Sequence, residues 1–340
     1  MAEEESQFKK KSLIEKIEKL MKYETAGDPI TGILWTRKTR DKIAKELNKA
    51  GFKIGKTAVG KLLNKMNFSL KCNSKKISNG GKKLSKEEKA IRNTQFLYIN
   101  EVRENFAKDD LPIISIDGKK KELIGNFKNP GTRLKKIADL VNDHDFILYA
   151  IGKAFPSGIY DPIRQEGFVY VGQSLWDNET KNFTSSETPE FGADNIVRWW
   201  QDYGIKRYPH ATALLILADS GGSNSYRSRI WKSRLQEILC QKHGLTVTIC
   251  HYPPGASKWN SIEHRLFSEI SKNWSGTPLK SFETVLKYIR TTQTKTGLKV
   301  YSRLVVKEYK TGKSIPDKIF KNLQIEPHKT FPSWNYTLYP

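Results

Sequence analysis

The chain has 340 residues, of which 37% are hydrophobic, and 59 Lys+Arg against 36 Asp+Glu give it a net charge of +23. That length suits two or three domains with a sizeable core, and that charge suits a polyanionic partner, nucleic acid first. Three scattered cysteines (Cys72, Cys240 and Cys250) exclude a disulfide framework and a CxxC zinc site, while the lack of a long apolar run or a signal-peptide core points to a reducing cytosol and away from a membrane.

Ile14, Ile17 and Leu20 recur at helical spacing and predict a short helix over 12–21, followed by a loop. Two helical patterns then share residues 36–71. In the first, Ile43, Ala44 and Leu47 lie on one face and Gly51 stops the helix; in the second, Val59, Leu62, Leu63 and Met66 make the stripe, with Thr57 as its predicted cap. This is the outline of a helix-turn-helix. Lys56, Lys61, Asn64 and Lys65 fall on the polar side of the second helix, where they can meet phosphates or base edges. A helix pair with a solvated basic face fits the spacing equally well, and the net charge tips the reading towards DNA. Residues 73–86 read as a basic, glycine-bearing linker, and a periodic stretch to about residue 107 as a helix.

From residue 111 the character changes. "LPIISID", "KELIGNF", "FILYAIGKAF", "SGIYD" and "EGFVYVGQS" predict strands of a meander. Next come a helix over 194–204 ending at Gly204, the strand "ALLILAD", and a helix over 223–244 with Ile230, Leu235, Ile238 and Leu239 inward. The strand "LTVTICHY" and a helix over 257–274 follow. The order predicts a mixed α/β layer fold. Trp199 and Trp200 fit its core, with base stacking as the rival role.

Asp117 and Asp219 each end an apolar strand, the position where open α/β sheets hold ligands. Each alone is more often a cap or turn residue. The "DSGGSN" stretch is neither a P-loop nor a dinucleotide fingerprint, and no partnered base supports a serine nucleophile there. Glu263 borders the stripe formed by Trp259, Ile262, Leu266 and Ile270, so it needs a cationic partner, either a basic side chain or a metal. Three such carboxylates suit two Mg²⁺ ions, with Mn²⁺ as a substitute, and the phosphoryl-transfer chemistry such a pair supports. Lys119, Lys258 and Arg265 are candidate phosphate contacts. Asn224, Asn260 and His264 are candidates for holding phosphate oxygens or waters near the acids, and His251 for a structural hydrogen bond.

The segments "SIDGKKKELIGNFKNPG", "LADSGGSNSYRSRIWKSRLQEIL" and "VTICHYPPGASKWNSIEHRLFSEISKNWSG" resemble DDE transposases of bacterial insertion sequences, the ISAzo-type family. The resemblance covers most of the chain, most strongly residues 113–301. It implies an RNase H-like mixed-sheet catalytic domain, as in retroviral integrases, preceded by an α-helical helix-turn-helix region. The expected division is 1–72 for DNA binding, 73–110 for a basic linker and helix, 111–300 for catalysis and 301–340 for a C-terminal extension. The resemblance also implies a catalytic, metal-holding triad of Asp117, Asp219 and Glu263, with Gly118 where relatives are expected to carry Thr or Ala. The implied activity is endonucleolytic cleavage at transposon ends and joining to target DNA in the bacterial cytosol, by a homo-oligomer on double-stranded DNA. A regulator that has lost catalysis and a metal-dependent nuclease are the alternatives.

Overall fold

The computed structural model describes residues 12–17, 25–27, 34–36, 39–66, 85–133, 137–177, 182–184, 187–256 and 259–340. They form two compact units, Met1–Lys76 and Ile77–Pro340.

In the first unit, helix α1 spans 12–17, and the predicted loop after it contains an antiparallel pair, β1 (Thr25–Gly27) and β2 (Leu34–Thr36). Thr39 caps α2 (Arg40–Lys49), accepting at Oγ1 from the Lys42 N–H at 3.2 Å, and Gly51 stops it at φ 88°. Helix α3 (Lys56–Lys65) starts two residues earlier than a cap at Thr57 requires: its cap is Gly55, with no side-chain bond. Ile17, Ile43, Leu47 and Val59 are fully buried in a common core, as the two stripes require. Lys56, Lys61, Asn64 and Lys65 are exposed. The expected 73–86 linker lies almost wholly outside the described residues.

The second unit opens with α4 (Lys86–Lys108), started by a reciprocal capping box between Ser85 and Glu88. Strands β3 (Ile113–Gly118), β4 (Glu122–Ile124), β5 (Gly152–Asp161), β6 (Glu166–Asp177) and β7 (Asn182–Phe183) follow. Helix α5 (Pro189–Trp199) runs through a π turn, Trp200–Gly204, into α6 (Ile205–Arg207). After β8 (Ala213–Ala218) comes α7 (Arg229–Leu235), extended by a π turn to Cys240, then β9 (Thr246–His251). A π turn, Glu263–Phe267, leads into α8 (Ser268–Trp274), and α9 (Phe282–Arg290), β10 (Lys299–Val305), α10 (Asp317–Lys321), β11 (Ile325–Pro327) and β12 (Asn335–Leu338) complete the chain.

One ten-stranded sheet has the order β10-β6-β5-β3-β8-β9-β12-β11, with β4 and β7 paired at its side. Strands β3, β8 and β9 are mutually parallel, and β5 is antiparallel between β3 and β6. Strands β3, β5, β6, β8 and β9 thus make the RNase H-like mixed sheet. Segment 301–340 is part of this unit: β10 and β12 pair inside the sheet.

Several expectations yield to packing. "GKAFPSGIYD" is one strand, not two, although Pro156 sits in it. The Pro156 carbonyl accepts from the Lys119 N–H at 2.8 Å, and in a strand N and C=O of one residue point the same way. Its missing donor therefore faces Lys119 in the gap between β3 and β4, beyond the paired residues of either strand. Gly204 does not end its helix; a Cβ there would overlap the Trp200 ring. Trp199 and Trp200 are core residues, 0% and 4% exposed, which removes the base-stacking role. Trp231 rather than Ile230 turns inward from α7, and Trp259 is 58% exposed against Phe96, while Ile262, Leu266 and Ile270 are buried as expected. No described helix is long and apolar enough to cross a membrane.

Buried Asp194 ties α5 to α7 and to the segment after β10. It accepts from Arg234 Nε at 2.8 Å, Lys307 Nζ at 2.9 Å and the Tyr309 hydroxyl at 2.9 Å. Burial pushes its carboxyl upward, but the donors outweigh burial and hold it below the usual range. Its stabilisation is present above the unfolded-state pKa and is lost as pH falls. Asp194→Asn should cost about 1–2 kcal/mol at pH 7, discounted because Arg234 and Lys307 are partly exposed. Thermal melts across pH should show the gap from wild type closing towards pH ~3; a gap independent of pH would rule out the carboxylate as its source.

Candidate active site

In a strand, alternate side chains share a face. Ile114 and Ile116 of β3, with Leu214 and Ile216 of β8, face the core under α5 and α7. Ile113 with Leu215 and Leu217 faces α4 instead. Ser115 and Asp117 continue the Ile113 face, and Asp219 continues that of Leu215 and Leu217. Ile116 pairs with Ala218, so the next residues, Asp117 and Asp219, leave adjacent parallel strands side by side, about 4.8 Å apart in backbone spacing. Their carboxylates therefore point to one face.

Glu263 reaches the same place from across that face. Ser115 and Asn260, both fully buried, form a clasp. The Ser115 hydroxyl donates to Asn260 Oδ1 and accepts from the Ile262 N–H at 3.2 Å, while Asn260 Nδ2 donates to the Ile116 carbonyl at 3.0 Å. The Asn260 carbonyl then accepts from the Glu263 N–H at 3.1 Å. The clasp joins the strand carrying the first acid to the helix start carrying the third. Gly158, opposite Asp117, leaves room for the Phe267 ring, which brings the helix down onto the sheet.

Burial pushes the Asp117 carboxyl up to about 8, assisted by the charge of Asp219 and by Glu263, through both its charge and a side-chain hydrogen bond; the Gly118 N–H at 2.7 Å pulls the other way. Burial raises Asp219 too, against the Ser220 N–H at 2.6 Å. Among the described residues no group of three or more His, Cys, Asp or Glu is already set around a single metal point. Asp117 instead lies close enough to feel the charge of both Asp219 and Glu263. Their chemistry fits a hard divalent cation: an all-oxygen donor set with unrelieved negative charge and no basic side chain bonded to Asp117, Asp219 or Glu263 among the described residues.

Below the acids, His251 is fully buried. Its Nδ1 lies 3.0 Å from the Asp219 carbonyl and its Nε2 3.4 Å from the Tyr336 hydroxyl. Burial pushes its pKa down to about 4, so it is a neutral structural residue. The Ser220 hydroxyl donates to the Tyr252 carbonyl, which removes it as a nucleophile.

Other candidates lie elsewhere. Asn260 holds the backbone, not water or phosphate. Asn224 is buried and turns towards Gly192 of α5. His264 and Arg265 line, with Tyr160, Glu269 and the 293–298 loop, a separate cavity of about 430 Å³. The Lys119 side chain, 10% exposed, is paired with Glu122 at 3.0 Å and sits over the Trp274 ring, so it is not free for a phosphate. Lys258 lies outside the described residues. Gly118 has room for a Cβ in ordinary contact with Phe155, so the expected Ala would fit.

Among solved structures, the chain is similar to the Mos1 transposase paired-end complex with left transposon end, at 13% identity and TM-score 0.42 over 81% of this chain and 69% of that one. It is likewise similar to the Mos1 mariner paired end complex with Mn, at 15% identity and TM-score 0.43 over 74% and 65%. No curated protein matches it. The family described as the Rhodopirellula transposase DDE domain matches residues 16–340, nearly the whole chain. The chain therefore belongs to this family of DDE transposases.

Proposed function

We propose that the protein is a DNA transposase that cleaves DNA at transposon ends and joins the freed 3′-OH to target DNA, with Asp117, Asp219 and Glu263 as its catalytic residues. The reading is carried by the convergence of these acids on one face of the sheet, in a chain of this family. The three carboxylates would hold Mg²⁺ or Mn²⁺, two ions in this reading. Bound there, the metal supplies Lewis-acid activation of the attacking oxygen and neutralises charge on the leaving one. The chain's own part is to fix the acids: the clasp of Ser115 and Asn260 sets Glu263 against Asp117, and His251 supports the strand end at Asp219. The N-terminal unit binds DNA through Lys56, Lys61, Asn64 and Lys65 of α3, consistent with the +23 charge. Two DNA ends require two active sites, so the assembly on DNA is a homo-oligomer.

The test is incubation of the full chain with labelled transposon-end duplex, a supercoiled target plasmid, and Mg²⁺ or Mn²⁺. Joined products are expected. Cleavage without joining would replace the reading with a metal-dependent nuclease, and binding without cleavage with a regulator.

Metal binding itself has a thermal readout. A cation at 100 times its Kd adds about 2.7 kcal/mol, so Mn²⁺ should raise the melting temperature of the wild type by on the order of 5 °C. The Asp219→Asn variant should show little of that rise; an equal rise in both would place the bound metal away from these acids.

A further inference from the structure

The first unit carries a concavity, with cations as its only charged lining residues, that the helix pattern did not reveal. It has a volume of about 310 Å³ and is lined by Arg40, Lys56, Thr57, Gly60, Lys61 and Asn64. Arg40 is the first residue of α2, while the other five belong to α3. Among the described residues no acid pairs with Arg40, Lys56 or Lys61; the nearby Asp41 is taken by Lys45 at 2.9 Å. Three uncompensated cations around one hollow repel one another unless an anion sits among them.

Gly60 explains how Arg40 gets there. Glycine inside a helix is unfavourable by roughly 1 kcal/mol relative to alanine, and nothing about its backbone requires it here, since its φ is not positive. What it provides is space. A Cβ at position 60 would meet Arg40 and no nearer neighbour: Nη1 at 3.2 Å, Cδ at 3.3 Å and Cζ at 3.7 Å. The bare backbone of α3 is the floor on which the Arg40 stem lies, so that the guanidinium extends beside Lys56 and Lys61.

We infer that this hollow is a phosphate clamp. Arg40, Lys56 and Lys61 grip a phosphodiester of the DNA backbone, Thr57 offers a hydroxyl to the same group, and Asn64 at the rim is left to meet a base edge. A guanidinium suits the two oxygens of a phosphate, and the phosphate in turn fixes the register in which α3 presents Asn64. The inference rests on the proposal that the N-terminal unit binds DNA, and it adds that α2 contributes the anchoring cation.

The test uses the full chain and a fluorescent 30-base-pair duplex, with affinity followed by anisotropy from 50 to 300 mM NaCl. Arg40→Ala is expected to weaken binding about 5–10-fold at 100 mM salt and to lower the slope of log K against log salt by about 0.9, the signature of one lost phosphate contact. Gly60→Leu, which fills the hollow and displaces Arg40 while favouring the helix, should lose a similar factor with an unchanged or higher melting temperature. Lys49→Ala, an exposed lysine of α2 outside the hollow, controls for loss of charge alone and should lose less than half as much in log K. Wild-type affinity and slope in Arg40→Ala would overturn the clamp. The combined Lys56→Ala, Lys61→Ala, Asn64→Ala and Lys65→Ala variant separates the two readings: if it also binds as wild type, the DNA-binding role of the unit fails, and if it alone loses affinity, only the clamp does.

Discussion

Asp219→Asn should lower DNA cleavage and joining by on the order of 10³-fold or more, about 4 kcal/mol of barrier, and should melt at a higher temperature than the wild type in metal-free buffer. The two effects share one cause. Burial pushes Asp117 up to about 8, and the neighbouring Asp219 and Glu263 add to it. An acid raised in this way binds a proton in the folded state that the unfolded chain has already released. Its contribution to stability is present below the unfolded pKa near 4 and is lost as pH rises towards 8. At neutral pH the bare site is therefore a strain on the fold. Replacing Asp219 by an isosteric amide removes one repelling charge, lowers the Asp117 pKa and should raise the melting temperature by a few degrees, on the order of 1 kcal/mol. The same amide is a poor ligand for a hard cation, so the chemistry is lost. DNA affinity should hold, since the lost carboxylate repelled phosphate. Duplex binding, melting and strand-transfer measurements on one preparation test all three together. Retained strand transfer would remove Asp219 from the active site, and a lowered melting temperature would mean that its carboxylate is a structural partner rather than a source of repulsion.

The sequence carried part of this site openly. "PIISID" and "LLILAD" mark their acids because a buried strand tolerates a carboxylate only at its end, and parallel pairing of the two strands then makes them neighbours. Glu263 was legible from its place beside an apolar stripe. Ser115 was not, because a serine two residues before Asp117 looks like any small residue in a strand until its partner arrives from 145 positions away. The strand period puts it on the acid's own face, and that was the available signal. Asn260 was noticed for the wrong reason, as a group for phosphate or water. The second half of the sheet was harder. Strands β10 and β12 are stabilised by partners far off in sequence, and "SRLVV" or "NYTL" alone says little about them. The π turns at Trp200–Gly204, Gln236–Cys240 and Glu263–Phe267 carry no periodic signature. In the first unit the two stripes fixed the helix pair, while the hollow at Gly60 depends on a contact between helices that neither stripe encodes.

If the clasp positions Glu263, then Asn260→Ala should reduce turnover about 10²-fold while leaving the Kd for duplex DNA within about twofold, because a displacement of the order of 1 Å in a reacting group costs that much. The side chain touches neither substrate nor metal in this reading; it acts by holding the backbone at Glu263 against β3. Its removal leaves the Ile116 carbonyl and the Ser115 hydroxyl without their partner in a fully buried site, which should destabilise the fold by about 1–3 kcal/mol. A loss of that size would leave the protein folded at assay temperature, and a melting transition of the second unit well above that temperature would confirm that the activity loss is not unfolding. The substitution Asn260→Asp sharpens the test. It keeps the oxygen that accepts from Ser115 but turns the donor facing the Ile116 carbonyl into a second acceptor, and it buries a fourth carboxylate beside three that already repel. Melting temperature should therefore fall in the order wild type, Ala, Asp, and turnover with it. A merely space-filling asparagine would predict the reverse, since aspartate is its closest match in shape. Finding Asn260→Asp as stable and as active as the wild type would show that Glu263 is held by something other than this clasp.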